Sequence, residues 1–325
     1  MSVLPFDRNK DHSDTLMSMI NLASSLHGHG KYAEAEEMHR QTLQLQETVL
    51  GKDHPSTLFS MMNLAISLRS QGKYAEAEAM QRQTLQLQET LLGKDHPDTL
   101  MGMMNLAILL RSQGKYAEAE EMHRETLQLQ ETLLGKDHPD TLRSMMALAI
   151  SLSSQGKYAE AEAMQRQTLQ LQGAVLEKDH PDMLRSMMAL AILLDCQAKY
   201  AEAEAMQRQT LQLQETVLGK DHPDTLMGMM ALAISLYGQG KYEDAEEMHR
   251  QTLQLRESVL GKDHPDTLRS MMTLAMSLDC QGKYEEAENM HRQTLQLHET
   301  VLGKDHPHTL ASKMALAISL RSQQQ

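Results

Sequence analysis

The sequence predicts an all-α solenoid of about seven and a half helix–turn–helix units, or about 15 helices. Three observations carry this. An Asp-His pair returns at Asp11, Asp53, Asp95, Asp137, Asp179, Asp221, Asp263 and Asp305, always 42 residues apart. Each period holds two stretches with apolar residues at three- and four-residue steps, the spacing of one helix face. No stretch alternates apolar and polar residues as a half-buried strand does. Neighbouring units are near copies, since Asp53–Lys94 and Asp95–Lys136 differ at seven of 42 positions. Such self-similarity marks stacked supersecondary units rather than one compact fold. The organisation expected is a tail at 1–10, full units at 11–52, 53–94, 95–136, 137–178, 179–220, 221–262 and 263–304, and a half unit at 305–325.

The second unit shows why each element forms. In its first half, Leu58, Met61, Leu64, Ala65 and Leu68 fall on one helical face. Pro55 suits a first helical turn, Asp53 or His54 supplies the N-cap, and Gly72 ends the segment. In the second half, Tyr74, Ala77, Met80, Thr84, Leu87 and Leu91 share a face. The opposite face, rich in Glu, Gln and Arg, is expected to be solvated. Gly93 is placed to end this helix as a residue of positive φ. The nonapeptide LGKDHPDTL at Leu92–Leu100, repeated at Leu134–Leu142, Leu218–Leu226 and Leu260–Leu268, is therefore punctuation between helices.

Some copies break the pattern. Lys313 stands where the seven earlier units have Met, and Ser24, Ser25, His27 and His29 make the first unit more polar, as expected of solvated ends. Gly173, Glu177 and Ala198 replace a helical Glu, a cap Gly and a turn Gly, which predicts a softer joint over 173–198.

Composition excludes several function classes. Acidic residues outnumber basic ones 44 to 31, and the net charge of −13 repels nucleic acid and anionic membranes. No segment approaches the roughly 18 apolar residues of a membrane span, and the start lacks a signal-peptide core. Cys196 and Cys280, two repeats apart, are too distant for a disulfide, and free thiols fit a reducing, cytoplasmic setting. The eight Asp-His histidines sit one per repeat, on the order of 10 Å or more apart, whereas zinc needs ligands about 2 Å from one ion. No metal, cofactor or catalytic set is expected, and the chain reads as no enzyme.

The segment NLAISLRSQGKYAEAEAM at Asn63–Met80 resembles a tetratricopeptide repeat. Leu64 and Ala65 lie where its first helix packs, Gly72 and Tyr74 at the turn, and Ala77 where the second helix crosses. The 42-residue length and the LGKDHP ending resemble the kinesin light chain and nephrocystin subtype, also found in fungal nucleotide-binding receptor-like proteins. The resemblance implies a right-handed superhelix with a concave groove lined by first helices.

Function is expected where copies disagree. One variable column reads Phe59, Met101, Arg143, Arg185, Met227 and Arg269; another reads Arg69, Arg111, Asp195, Tyr237 and Asp279. Between them runs a steadier apolar column of Met62, Met104, Met146, Met188, Met230 and Met272, with Ile66, Ile108, Ile150, Ile192 and Ile234. The resemblance makes these the walls and floor of a groove for a peptide or protein ligand, since Met-rich surfaces adapt to partners. The same Met and Ile residues would equally serve packing between repeats. The function expected is a non-catalytic binding scaffold, specifically the recognition array of a fungal receptor-like protein. The alternatives are a kinesin light chain-like cargo adaptor and a purely structural or idealised repeat protein.

Overall fold

The computed structural model describes residues 8–323, with side chains from Thr15 onward, and these form fifteen α-helices and no strand. The chain falls into two compact parts, Met1–Met122 and His123–Gln325. The first holds α1 (Arg8–Gly28), α2 (Tyr32–Val49), α3 (Pro55–Ser70), α4 (Tyr74–Leu92), α5 (Pro97–Ser112) and the start of α6 (Tyr116–Leu134). The second holds the rest of α6, then α7 (Pro139–Ser154), α8 (Tyr158–Val175), α9 (Pro181–Cys196), α10 (Tyr200–Val217) and α11 (Pro223–Gly238). It continues with α12 (Tyr242–Leu260), α13 (Pro265–Cys280), α14 (Tyr284–Val301) and α15 (Pro307–Ser322). Within each part consecutive helices pack together, and first helices of successive repeats also meet, α3 on α5 and α9 on α11 among them.

Residues 1–7 of the expected tail lie outside the described residues, and α1 already begins at Arg8. Ser13 stands where every later unit has proline. Proline disfavours a helical conformation in the residue before it; with serine there, the helix runs back through Asp11 and His12.

The first-helix stripe is buried as its spacing predicts, Leu58, Met61, Leu64, Ala65 and Leu68 all being core residues. The N-cap is histidine, not Asp53. His54 has extended backbone, and its Nδ1 accepts the Ser56 N–H at 3.2 Å. His96, His138, His180, His222, His264 and His306 do the same for the residue two positions on. The proline between them lacks an N–H, so this bond serves the first amide left without an intrahelical partner.

The second helix packs most of its expected face, with Tyr74, Met80 and Leu87 half-buried against the core, but polar residues join Ala77 inside. Its buried stripe is Ala77, Gln81, Thr84, Leu85 and Gln88, while Leu91 is exposed. Ala77 and its copies Ala35, Ala119, Ala161, Ala203, Ala245 and Ala287 have no exposed surface, so the helices cross at a methyl group. The amide groups of two of these glutamines reach the next repeat: Gln81 Nε2 donates to the Gly102 carbonyl at 3.1 Å, and Gln165 to Ser186 at 3.0 Å. A buried amide with such a partner escapes the desolvation cost that would keep it in water.

Gly93 ends α4 at φ 91°, ψ 163°, a region essentially reserved for glycine, rather than in the left-handed helical region. Its carbonyl accepts the Thr99 hydroxyl at 2.8 Å. The same bond joins Thr57 to Gly51, Thr141 to Gly135, Thr225 to Gly219, Thr267 to Gly261 and Thr309 to Gly303. The α8–α9 joint is built differently. Glu177 takes the glycine's place, Leu176 is extended (φ −120°, ψ 152°), and Met183 takes the threonine's place and is buried. The Met183 Cε lies 3.5 Å from the space a Cβ would fill at Gly173, so these two departures meet in one contact. At the following turn Ala198 has φ 59°, where its copies are glycines of positive φ, a strain on the order of 1–2 kcal/mol.

Without the threonine–carbonyl bond, amides of 174–180 should exchange with solvent faster than their copies at 216–222. The double change Glu177→Gly, Met183→Thr should restore the slower rate. Equal rates in the unaltered protein would remove the soft joint.

Candidate functional site

The first helices turn one face to solvent, and the variable columns separate on it. Phe59, Met101, Arg143, Arg185, Met227 and Arg269 are all exposed. Seven residues on, Ile150, Ile192 and Ile234 are 43–47% exposed, while Ile66 and Ile108 are half-buried. Within the second part this leaves one exposed isoleucine per repeat on three successive first helices.

The methionine column is largely not part of that face. Met62, Met188 and Met230 are buried and Met104, Met146 and Met272 half-buried. Sulfurs of this column meet the adjoining repeat, as Ser186 Oγ donates to Met146 Sδ at 3.2 Å and Ser312 Oγ to Met272 Sδ at 3.8 Å, while Met62 Sδ accepts from Gln88 of its own repeat at 3.5 Å. These side chains pack between repeats, so the exposed apolar floor is the isoleucine row.

The far wall divides in two. Arg69 and Arg111, half-buried, have no carboxylate partner among the described residues. Burial pushes the guanidinium pKa of Arg69 down, and the neighbouring Arg111 charge adds to this; burial does the same to Arg111. Asp195 and Asp279, in contrast, are bound into the scaffold. Gln207 Nε2 donates to Asp195 at 2.8 Å, while Asp279 holds the His291 ring at 3.1 Å and the Ser319 hydroxyl at 2.6 Å. Both carboxylates are thus engaged by a second-helix partner of their own repeat, and Asp279 also by the next repeat. Tyr237 is also engaged: its hydroxyl donates to Cys280 Sγ at 2.5 Å, a bond that with burial pushes its pKa up to about 12.

Ser319, Asp279 and His291 are a serine, aspartate and histidine in one cluster, but the carboxylate lies between the other two. The hydroxyl donates to Asp279, so the contact a nucleophile needs with its base is not made. Among the described residues no group of His, Cys, Asp and Glu could hold a metal ion, and no helix is long and apolar enough to cross a membrane.

A set of residues that the sequence reading passed over joins the second helices. Glu78 accepts from Arg82 one turn on (2.9 Å), and from Lys115 (2.7 Å) and Gln113 (2.8 Å) of the next repeat. Glu162 and Glu204 repeat the arrangement with Arg166, Lys199 and Gln197, and with Arg208, Lys241 and Gln239. Arginine then reaches the next repeat's glutamate: Arg40 to Glu76, Arg166 to Glu202 and Arg250 to Glu286, at 2.6–2.7 Å. The signal was available as a Glu–Arg pair at i, i+4 followed by Lys 37 residues after the Glu.

Two cavities open where a second helix ends against the next repeat. One of about 650 Å³ is lined by Leu16, Met17, Ile20, Gln46, Val49, Leu50, His54, Pro55, Ser56, Phe59 and Asp98. Its counterpart at the α8–α9 joint, about 280 Å³, includes Arg143, Met146, Gln172 and Asp182.

A family model described as tetratricopeptide repeat matches residues 14–90, 60–132, 98–174, 154–216, 197–258 and 224–300. Among solved structures, the chain is similar to kinesin light chain-like, nearly identical TPR-like repeats from Podosopora anserina. The identity is 28%, with 64% of this chain and 98% of that one covered and a TM-score of 0.55. A tetratricopeptide repeat protein from Parabacteroides merdae shares the fold at 15% identity, with 94% and 99% covered and a TM-score of 0.57. So does a signal-transduction ATPase with a tetratricopeptide repeat sensor from Pyrococcus horikoshii, at 13% identity, 87% and 40% covered, and a TM-score of 0.54. No curated protein sequence matches.

Acid should weaken the fold in two separate windows. Burial holds His39, His249 and His298 near a pKa of about 4, from 6.5. The unfolded chain therefore binds more protons between these values, and their stabilisation is lost as pH falls from 6.5 towards 4. At Glu78 burial opposes ionisation but is outweighed by Lys115, Gln113 and Arg82; at Glu162 and Glu204 the lysine bond is the largest effect. All three lie at about 2, from 4.5. Their stabilisation is present above 4.5 and lost as pH falls to 2. His39→Gln with His249→Gln, placing the residue found at Gln81 and Gln165, should flatten the Tm between pH 6.5 and 4.5. An unchanged slope would reject the histidine contribution.

Proposed function

The chain belongs to the tetratricopeptide repeat family, and from that premise we propose that it is a non-catalytic scaffold binding a peptide or protein segment. Such repeats generally serve protein interaction, and the face concerned here is the one that first helices present. The observation that carries this reading is the uncovered row Ile150, Ile192 and Ile234, one apolar side chain per repeat at matching positions. Contiguous exposed apolar surface usually marks an interface. In the first part of the chain, Arg69 and Arg111 add two guanidinium groups without carboxylates, a chemistry that suits an acidic side chain of the ligand.

The specific form of this reading is a recognition array whose scaffold is constant and whose face varies from copy to copy. The second reading, a light chain-like cargo adaptor, is favoured by the 28% identity to the Podosopora anserina repeats. Both use the same face.

The test compares Ile150→Asp, Ile192→Asp, Ile234→Asp with a control, Ala163→Asp, Ala205→Asp, on exposed second-helix positions. Circular dichroism should show both variants as helical as the parent. The isoleucine variant should lose the proteins captured by the parent, and the control should keep them. Identical captured sets from parent and isoleucine variant would reject the first-helix face.

A further inference from the structure

The cavity between the first two repeats differs from its counterpart at the α8–α9 joint in size and in charge. Where the smaller cavity has Arg143 and Asp182, the larger one has Met17 and Ser56, and Phe59, one of the chain's two phenylalanines, completes its wall. Met17 and Phe59 are both exposed at its rim, and Leu16 and Ile20 are buried behind them. About 650 Å³ is within the range of cavities that take a well-buried ligand group.

Asp98 is the charged group of this lining. It occupies the second position of its helix, as do Asp140, Asp182, Asp224 and Asp266. Each of those four meets an arginine: Asp140 with Arg143 at 2.7 Å, Asp182 with Arg185 at 3.2 Å, Asp224 with Arg185 at 3.7 Å, and Asp266 with Arg269 at 2.9 Å. Three residues after Asp98 the chain has Met101, and no lysine or arginine among the described residues pairs with Asp98. Its neighbour His96, whose Nδ1 lies 3.8 Å from the carboxylate, uses that nitrogen to accept the Asp98 N–H. A second acceptor also lines the cavity: Gln46 is 2% exposed and its Oε1 has no hydrogen-bond partner.

We propose that this cavity is a subsite for an arginine side chain of the bound segment. The aliphatic stem lies against Leu16, Ile20 and Val49, and the guanidinium engages the Asp98 carboxylate and the Phe59 ring. Arginine suits the lining better than lysine, because its planar group pairs with carboxylates through two N–H donors and stacks on aromatic faces. The chain's net charge of −13 draws such a ligand in. This rests on the reading that the chain binds a peptide segment. It adds that the segment carries an arginine at the cavity between the first two repeats.

The probe is the blocked peptide acetyl-Gly-Arg-Gly-amide, titrated into the full chain labelled with ¹³C at methionine methyl groups. The Met17 resonance should shift and saturate. Asp98→Asn should weaken binding by about threefold to fivefold, the loss expected of one partly solvated ion pair. Asp140→Asn, whose aspartate already has Arg143, should leave it unchanged. Replacing the probe's arginine by norleucine should cost a similar factor. Equal binding of the norleucine peptide, no effect of Asp98→Asn, or a stationary Met17 signal would each overturn the proposal. The isoleucine variant described above should leave this titration unaltered, so failure here and failure of the groove reading are read separately.

Discussion

A helix pair has more apolar surface than its two members can hide from each other, so each repeat here is completed by the next one. The carboxylates of Glu78, Glu162 and Glu204 show how tightly that completion is specified. Each draws an arginine from its own helix and a lysine and a glutamine from the following repeat. These bonds are partly solvated, and one alone contributes little. Repeated along the array and combined with the exposure-free alanine crossings, they fix the angle and register at which one pair meets its neighbour. The other interactions follow from that register. Gln81 finds Gly102 and Ser186 finds Met146 only if the repeats are correctly phased.

What the sequence made legible was local. Leu58, Met61, Leu64, Ala65 and Leu68 are apolar, sit at helical spacing and are buried, so pattern and burial agree. The second helix was read less well, because its buried stripe is partly polar. Gln81 and Gln88 look like surface residues until their partners are known, Gly102 in the next repeat and Met62 on the first helix of the same repeat. Thr84 looks inward on spacing alone, but its hydroxyl bonds to its own helix at Met80. Periodicity reports where apolar groups recur; it is blind to a polar group that a neighbour satisfies.

The candidate face was legible for the same reason and to the same limit. Variation among copies correctly singled out the exposed column from Phe59 to Arg269, since an uncovered position is free to change. It also singled out Asp195 and Asp279, which change for a different reason: each is matched by a partner, Gln207 or His291, within its own repeat. Variability cannot separate a residue released from packing from one whose packing is negotiated afresh in each copy. The apolar Met column is the converse case, steady and at Met62, Met188 and Met230 interior.

The junction bonds also bear on how such an array changes length. Partners separated by 35, 36, 37 or 40 residues recur from one junction to the next. A gene duplication or deletion of whole 42-residue periods therefore reconnects each donor to an equivalent acceptor, and copy number can drift without opening a seam. The α8–α9 joint is the exception. Gly173 and Met183 meet across a repeat boundary, and a recombination point falling between them would strand a methionine or a threonine against the wrong turn. Growth and shrinkage of the array should thus be tolerated on either side of that joint and resisted within it.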